Sequence, residues 1–271
     1  MKNLIYVITI LTSFLVGGCD DFNSETIAPK PVLEAYLFAN MPVTEVKVSE
    51  MQLFSSEESE EVAVVDAQVK LTNGEESYLL TPDPDKAGYY CYPENDLHVQ
   101  EGDVWNIQME HNGYVVEGET KVPNSPMNAS LSTNRLEIAP INNPQGLEQL
   151  KNIKVNLTWD NANNDYYFIT IRNTTENPEN IIQLGQTINI GISITTRPEN
   201  GDSHLFSVAD INQYGTYEVR LHKVNKEYVD LYDTLKQDSR NLNEPATNLI
   251  NGYGLFTAFN YVDLELKIVK P

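Results

Sequence analysis

The sequence predicts a mainly β protein: two β-sandwiches in series, the second carrying one inserted helix. Three observations predict it. Short apolar runs alternate with polar residues at period two along much of the chain, as half-buried strands require. Turn-forming pairs, Asn73-Gly74 and Asn112-Gly113 among them, separate those runs. A break at Lys121-Val122-Pro123-Asn124-Ser125-Pro126 divides the chain, because two prolines around small polar residues cannot continue a strand ladder.

The opening segment stands apart from the fold. Met1-Lys2-Asn3 precede an apolar run from Leu4 to Val16, which ends in Gly17-Gly18-Cys19. A basic start, an apolar centre and a small-residue end make residues 1–18 a secretory signal peptide, too short to span a bilayer comfortably. Val16-Gly17-Gly18-Cys19 also resembles a bacterial lipobox, in which signal peptidase II cuts before the Cys and its thiol is diacylated. Small residues fit the peptidase groove, and the Cys supplies a nucleophilic sulfur. Cys19 is then residue one of the mature protein, and its lipid anchors the chain to the outer membrane. Each buried methylene adds about 0.8 kcal/mol, so several acyl chains hold where one would not. Residues 19–30 read as a polar, lipidated tether. Asp20 and Asp21 resemble the surface-export signal of Bacteroidetes lipoproteins, which makes the cell surface the expected location; the same pair also suits a plain solvated tether.

Charge is unevenly spread. The 271 residues hold 39 acidic against 18 basic side chains, a net charge of -21, which excludes a basic nucleic-acid binder. Residues 20–123 carry 22 acidic and 5 basic side chains, whereas 124–271 carry 17 and 12, so the first unit holds the negative field. Two Cys exclude a disulfide framework and a four-ligand zinc site.

In the first unit, 31–123, strand-like runs cover 32–38, 46–54, 62–71, 77–80, 104–109 and 114–116. Asn73-Gly74 and Asn112-Gly113 fit type I′ hairpins, whose two central residues need positive φ. Trp105, Ile107 and Met109 share one face. About seven short strands in this length suggest an immunoglobulin-like sandwich.

In the second unit, 126–271, Ile153, Val155, Leu157 and Trp159 alternate strictly with polar residues, and Tyr167, Ile169 and Ile171 repeat the pattern after a polar turn. A strand ending in Trp followed by a Tyr-rich strand looks like the B and C strands of a fibronectin type III domain. Ile188 to Ile194 and Tyr217 to Leu221 add strands. Tyr228, Leu231, Tyr232 and Leu235 then stand at helical spacing, predicting a helix over about 225–238 with Asn225 as N-cap. Leu255 to Val269 closes the chain as one or two strands, and 173–201 reads as an idiosyncratic loop.

The order of these features resembles Bacteroidetes lipoproteins of domain-of-unknown-function family 4249. The matching pieces are Cys19, Val32-Leu33-Glu34-Ala35, Asp66-Ala67-Gln68-Val69-Lys70-Leu71, Ala87-Gly88-Tyr89-Tyr90 and Val122-Pro123 in the first unit. Val155-Asn156-Leu157-Thr158-Trp159, Tyr166-Tyr167, Lys226-Glu227-Tyr228 and Asn248 to Phe256 match in the second. The resemblance implies an outer-membrane lipoprotein, often encoded beside a TonB-dependent transporter, with no catalytic residues to carry over.

Catalytic chemistry has little support in the residues themselves. His98, His111, His204 and His222 show no ligand spacing, so no metal is expected. Cys91 reads as a buried strand thiol. No nucleophile elbow, phosphate loop or dinucleotide fingerprint occurs, so neither catalytic residues nor a cofactor is expected. Asp83-Pro84-Asp85 reads as a turn because the rest of a calcium loop is missing.

Four features could support binding or modification instead. Glu57, Glu58, Glu60 and Glu61 form an acidic run suited to a solvated loop, a cation site or docking of a basic partner. Tyr89, Tyr90 and Tyr92 face alternate sides of a strand, and an exposed one could stack on a sugar ring. Gly252, Tyr253, Gly254 and Phe256 suggest either a turn before the last strand or a partner-docking loop. Asp233-Thr234-Leu235 resembles a Bacteroidetes O-glycosylation sequence, with Thr234 as acceptor. The expected function is a non-enzymatic lipoprotein that serves a TonB-dependent transporter as accessory or ligand-capture partner. A structural or adhesive surface protein and a surface hydrolase are the alternatives.

Overall fold

The computed structural model describes residues 31–50, 62–183, 191–234 and 246–271. The first unit contributes β1 (Pro31–Phe38), β2 (Glu45–Glu50), β3 (Val62–Ala63), β4 (Gln68–Asn73), β5 (Glu76–Pro82), β6 (Tyr89–Cys91), β7 (Val104–His111) and β8 (Tyr114–Lys121). Then come β9 (Met127–Leu131), β10 (Arg135–Glu137), α1 (Pro144–Asn152), β11 (Lys154–Asp160), β12 (Tyr166–Asn173) and β13 (Ser193–Thr195). β14 (Ser203–Ser207), α2 (Val208–Ile211), β15 (Gly215–Val224), α3 (Lys226–Thr234), β16 (Leu249–Ile250) and β17 (Tyr253–Val269) complete the order. No described helix is long and apolar enough to cross a membrane.

The period-two runs become strands whose apolar side chains enter a core. In β7, Trp105, Ile107 and Met109 are buried while Val104, Asn106 and Glu110 are exposed. The hairpin from β7 to β8 turns at Asn112 (φ 48°) and Gly113 (φ 81°), the two positive values of a type I′ turn. The other Asn-Gly pair differs. Asn73 pairs with Glu76 as the last strand residue, which leaves Gly74 at the first central position with φ 60°, as in a type II′ turn.

Two sandwiches result. In the first, Leu33, Leu37, Val46, Val48 and Tyr90 of one sheet meet Val69, Leu71, Trp105, Ile107, Met109 and Val116 of the other. In the second, Ile169, Ile171, Val219, Leu221, Leu266 and Ile268 meet Val155, Leu157 and Phe206 of the three-stranded sheet β14-β11-β9.

The last strand corrects the expected boundary at 126–271. Seven residues of β17 pair in parallel with β1, from Val32↔Tyr253 to Phe38↔Phe259. Its remainder pairs antiparallel with β15, from Val224↔Phe259 to Gly215↔Ile268. Leu249, Phe256 and Ala258 therefore belong to the first core. Residues 255–260 are buried without alternation, because α3 and its neighbours cover the face that would otherwise meet solvent. Strands consequently run as one paired path, β13-β12-β15-β17-β1-β2-β6-β5-β4-β7-β8-β16, through both sandwiches.

Helices also exceed the single one expected. α1 starts at an Asn-Pro step, where Asn143 accepts a hydrogen bond from Gly146 N at 2.8 Å and Pro144 needs no donor. It buries only Leu150, so it leaves little apolar periodicity to read. α2 is capped by Ser207. α3 covers 226–234 of the expected helix, and 235–238 lie outside the described residues. Of the expected 188–194 strand, β13 starts at Ser193, and Ile188 and Ile190 are likewise outside. The long 173–201 segment is pinned at its start by buried Asn173, which donates to Tyr214 O at 3.1 Å.

Candidate functional site

The sequence-named residues do not form one site. Cys19, Asp20, Asp21, Glu57, Glu58, Glu60 and Glu61 lie outside the described residues. Their points of attachment do lie close together: Pro31, where the tether enters, pairs with Glu50, and Glu50 pairs with Val62 across the acidic run. The described residues that flank 1–30 and 51–61 thus share one end of the first sandwich.

The expected docking loop is instead a structural strand start. Tyr253 and Gly254 already pair with Val32 and Leu33, and Phe256 is fully buried. Gly254 has φ 106°, and a Cβ there would lie 2.1 Å from Leu33 O, so no other residue fits so close to β1. Asn248 secures the turn by accepting from Phe256 N at 3.0 Å and donating to Phe256 O at 2.7 Å. Thr234 ends α3 with its hydroxyl donated to Leu231 O at 2.8 Å.

Much of what carries the family resemblance converges on the junction between the sandwiches. Phe259 sits at its centre, 5.0 Å from the Phe38 ring and 5.1 Å, edge-on, from Tyr228; Phe168, Val224, Val229, Tyr36 and Tyr166 complete the cluster. A polar rim surrounds it. Glu227 accepts from Thr120 and Thr257, each at 3.1 Å. Asn225, the expected N-cap, donates its side-chain nitrogen to Lys121 O at 2.8 Å, and Asn260 donates to Pro123 O at 2.9 Å. Lys223 is buried, with Nζ 2.6 Å from both Asp165 Oδ2 and Asn124 Oδ1. The proline break is therefore clasped from three sides rather than free to hinge.

Tyrosines 89, 90 and 92 take three different roles. Tyr90 is core: its hydroxyl accepts from Ala67 N at 2.9 Å and donates to Val64 O at 3.1 Å, which corrects its candidacy as a surface contact. Tyr89 is half-buried under the Lys86 ammonium, 5.0 Å from its ring centroid. Tyr92 lines a groove of about 480 Å³ between the β1–β2 and β6–β7 connections.

Two backbone hydrogen bonds fix that groove: Asn40 N donates to Val99 O at 2.8 Å, and Tyr92 N to Val43 O at 3.2 Å. Asn40 makes the corner possible with φ 60°, a value Asn tolerates better than most residues. Buried Val43, Leu97 and Val99 form an apolar floor, Met41, Pro42 and Tyr92 the walls, and Asn40, Glu94, Asn95, His98 and Gln100 a polar rim. Tyr92 is held in place, donating its hydroxyl to Asp96 at 2.8 Å and meeting Tyr78 edge-on at 5.3 Å. The Asp96 hydrogen bond pushes the phenol up to about 12, so it stays protonated. Tyr92 is the one groove residue that the sequence singles out for binding, because the two loops lie about fifty residues apart in the chain and meet only through backbone hydrogen bonds that leave no side-chain pattern.

Reactive geometry is sparse elsewhere. Cys91 is half-buried and free. His111 bridges Glu50 and Asp66, each at 3.2 Å, through opposite ring nitrogens. His222 stacks on Phe168 at 4.2 Å; burial, with Arg220 alongside, pushes its imidazole down to about 3. Among the described residues no three His, Cys, Asp or Glu side chains converge on a metal-sized space.

Among solved structures, the chain is similar to the FN1–FN3 domains of chicken CNTN1, at 9% identity and a TM-score of 0.28, covering 88% of this chain and 64% of that one. It is similar to titin domains A168–A170 at 11% identity and a TM-score of 0.20, covering 88% and 66%. The chain thus spans just under two thirds of either, and likenesses this distant carry no functional argument. No curated protein matches it. The model of a domain of unknown function, DUF4249, matches residues 20–265, nearly the whole chain beyond the leader-like segment, and the chain belongs to that family.

Proposed function

We propose that the protein is a non-enzymatic, lipid-anchored outer-membrane lipoprotein that serves a TonB-dependent transporter as accessory or ligand-capture partner. The observation that carries this reading is the lipobox-like ending at Cys19, followed by a short tether that enters the fold at Pro31. β1 then runs eight residues, about 25 Å, towards the groove. An anchored chain would hold that groove off the bilayer, where confinement raises its effective concentration towards a membrane partner. The clasped junction supports the same reading, because a fixed second sandwich gives a partner one surface to recognise.

The test is affinity purification of tagged, lipidated protein from mildly solubilised outer membranes, with Cys19→Ala as the unanchored control. A stoichiometric TonB-dependent transporter, absent from the control, is the expected result. The rigid junction also suits a structural spacer, and recovery of the protein only with itself would favour that reading.

A further inference from the structure

We propose that the groove between residues 39–44 and 92–100 binds a neutral pyranose ring of an oligosaccharide. The inference deepens the capture reading but needs no transporter to be true.

Its volume of about 480 Å³ falls within the range of small-molecule sites, on the order of 300–1,000 Å³, and is ample for one or two sugar rings. Surface chemistry narrows the class. A pyranose has an apolar face of C–H groups and a rim of hydroxyls that both donate and accept hydrogen bonds. The groove presents the complement: Val43, Leu97 and Val99 below, the Tyr92 ring and Met41 beside, and the amides of Asn40, Asn95 and Gln100 around. Side-chain amides offer donors and acceptors together. Those three amides, with His98 and Glu94, have no side-chain hydrogen-bond partner among the described residues, so they are available to a ligand.

Charge excludes the alternatives. No Lys or Arg lines the groove, and the surrounding unit is strongly acidic, so an anion would be repelled. An ammonium ligand would be held by an aromatic cage or paired carboxylates. Here Tyr92 is the one phenol or indole ring in the lining, too few for a cage, and of the carboxylates at residues 94 and 96 Asp96 is engaged by the Tyr92 hydroxyl, which leaves Glu94. Preorganisation adds to affinity. The two loops are tied by backbone hydrogen bonds, and Tyr92 is oriented by Asp96 and Tyr78, so little freedom remains to be lost on binding.

The experiment titrates purified mature protein with disaccharides of glucose, galactose, mannose and N-acetylglucosamine, following the Met41 methyl and His98 ring signals by NMR. Saturable shifts with a Kd of about 1 mM or below are expected for at least one sugar. Tyr92→Ala should weaken binding about tenfold. Because Tyr92 also packs on Tyr78, a second variant avoids the core: Asn95→Ala with Gln100→Ala, both exposed, should weaken binding by a similar factor with the melting temperature unchanged. No saturable shift with any sugar, unchanged binding in both variants, or tighter binding of tetramethylammonium than of every sugar would overturn the proposal. Sugar binding without transporter co-purification would sink the accessory reading and leave the groove standing.

Discussion

The two sandwiches share a fold class and handle charge in opposite ways. In the second, two basic side chains are closely paired and largely shielded: Arg220 Nε lies 2.6 Å from Asp263 and Lys223 2.6 Å from Asp165, while Lys270, 2.6 Å from Glu179, is an exposed pair. In the first, Lys47 lies 3.8 Å from Glu34 and Lys86 3.9 Å from Glu45, both partly exposed, and acidic side chains far outnumber basic ones. Exposed pairs of that kind contribute about 0–1 kcal/mol. The first sandwich therefore depends on its core and on strands supplied by the end of the chain, whereas the second also cross-links its own surface. A single fold class does not imply a single way of staying folded.

The sharpest way to break this comparison is to uncouple the halves. Wild type should melt in one transition because β17 is common to both sheets. Phe259→Ala should cost about 3–5 kcal/mol and split calorimetric unfolding into two steps, the acidic sandwich melting first. Gly254→Ala should cost about 2–4 kcal/mol, since its Cβ meets Leu33 O at a strained φ, and should expose the amides of β1 to hydrogen exchange before those of β15. Asp165→Asn should cost about 1–3 kcal/mol in denaturant unfolding, because the buried Lys223 ammonium loses its charged partner and is left with neutral amide oxygens.

A pH titration sharpens the contrast. His222 stays neutral in the fold down to about pH 3, while an unfolded imidazole protonates near about 6.5. The unfolded chain therefore binds more protons between those values, so stability falls as pH drops through that window and levels below it. His222→Phe should flatten this acid limb. The smallest effect should come from salt: raising ionic strength should stabilise the first sandwich by about 1 kcal/mol or less by screening its carboxylates, and leave the second nearly unchanged.

Strands were legible wherever one face is buried and the other is wet. β7 and β11 follow from alternation alone, β12 keeps it for Tyr167, Ile169 and Ile171 although Phe168 on its other face is buried too, and the Asn112-Gly113 turn follows from its φ requirement. The shared strand was not legible. Residues 255–260 are covered on both faces, which erases the alternation, and nothing local in Leu255 to Val269 says that one half pairs with the first strand of the fold and the other with β15. Gly254 and Asn248 were visible as an unusual sequence, yet a tight glycine turn and a strand pressed against another backbone look alike in one dimension. For the groove, the tyrosine-rich run pointed to the right neighbourhood. It could not separate Tyr92 from Tyr90, which period two would place on one side: the strand ends at Cys91, so Tyr90 lies inside it and Tyr92 in the connection that follows.

One consequence of the long last strand is mechanical. β1 enters from the tether, and β17 runs beside it in the same direction before passing into the second sandwich. Under the anchoring proposed at Cys19, a pull on the second sandwich would load all seven paired residues of that interface together, along the strands, rather than peel them one at a time. A surface protein dragged by a partner or by flow would meet that force in shear, the direction in which a strand pair resists it best.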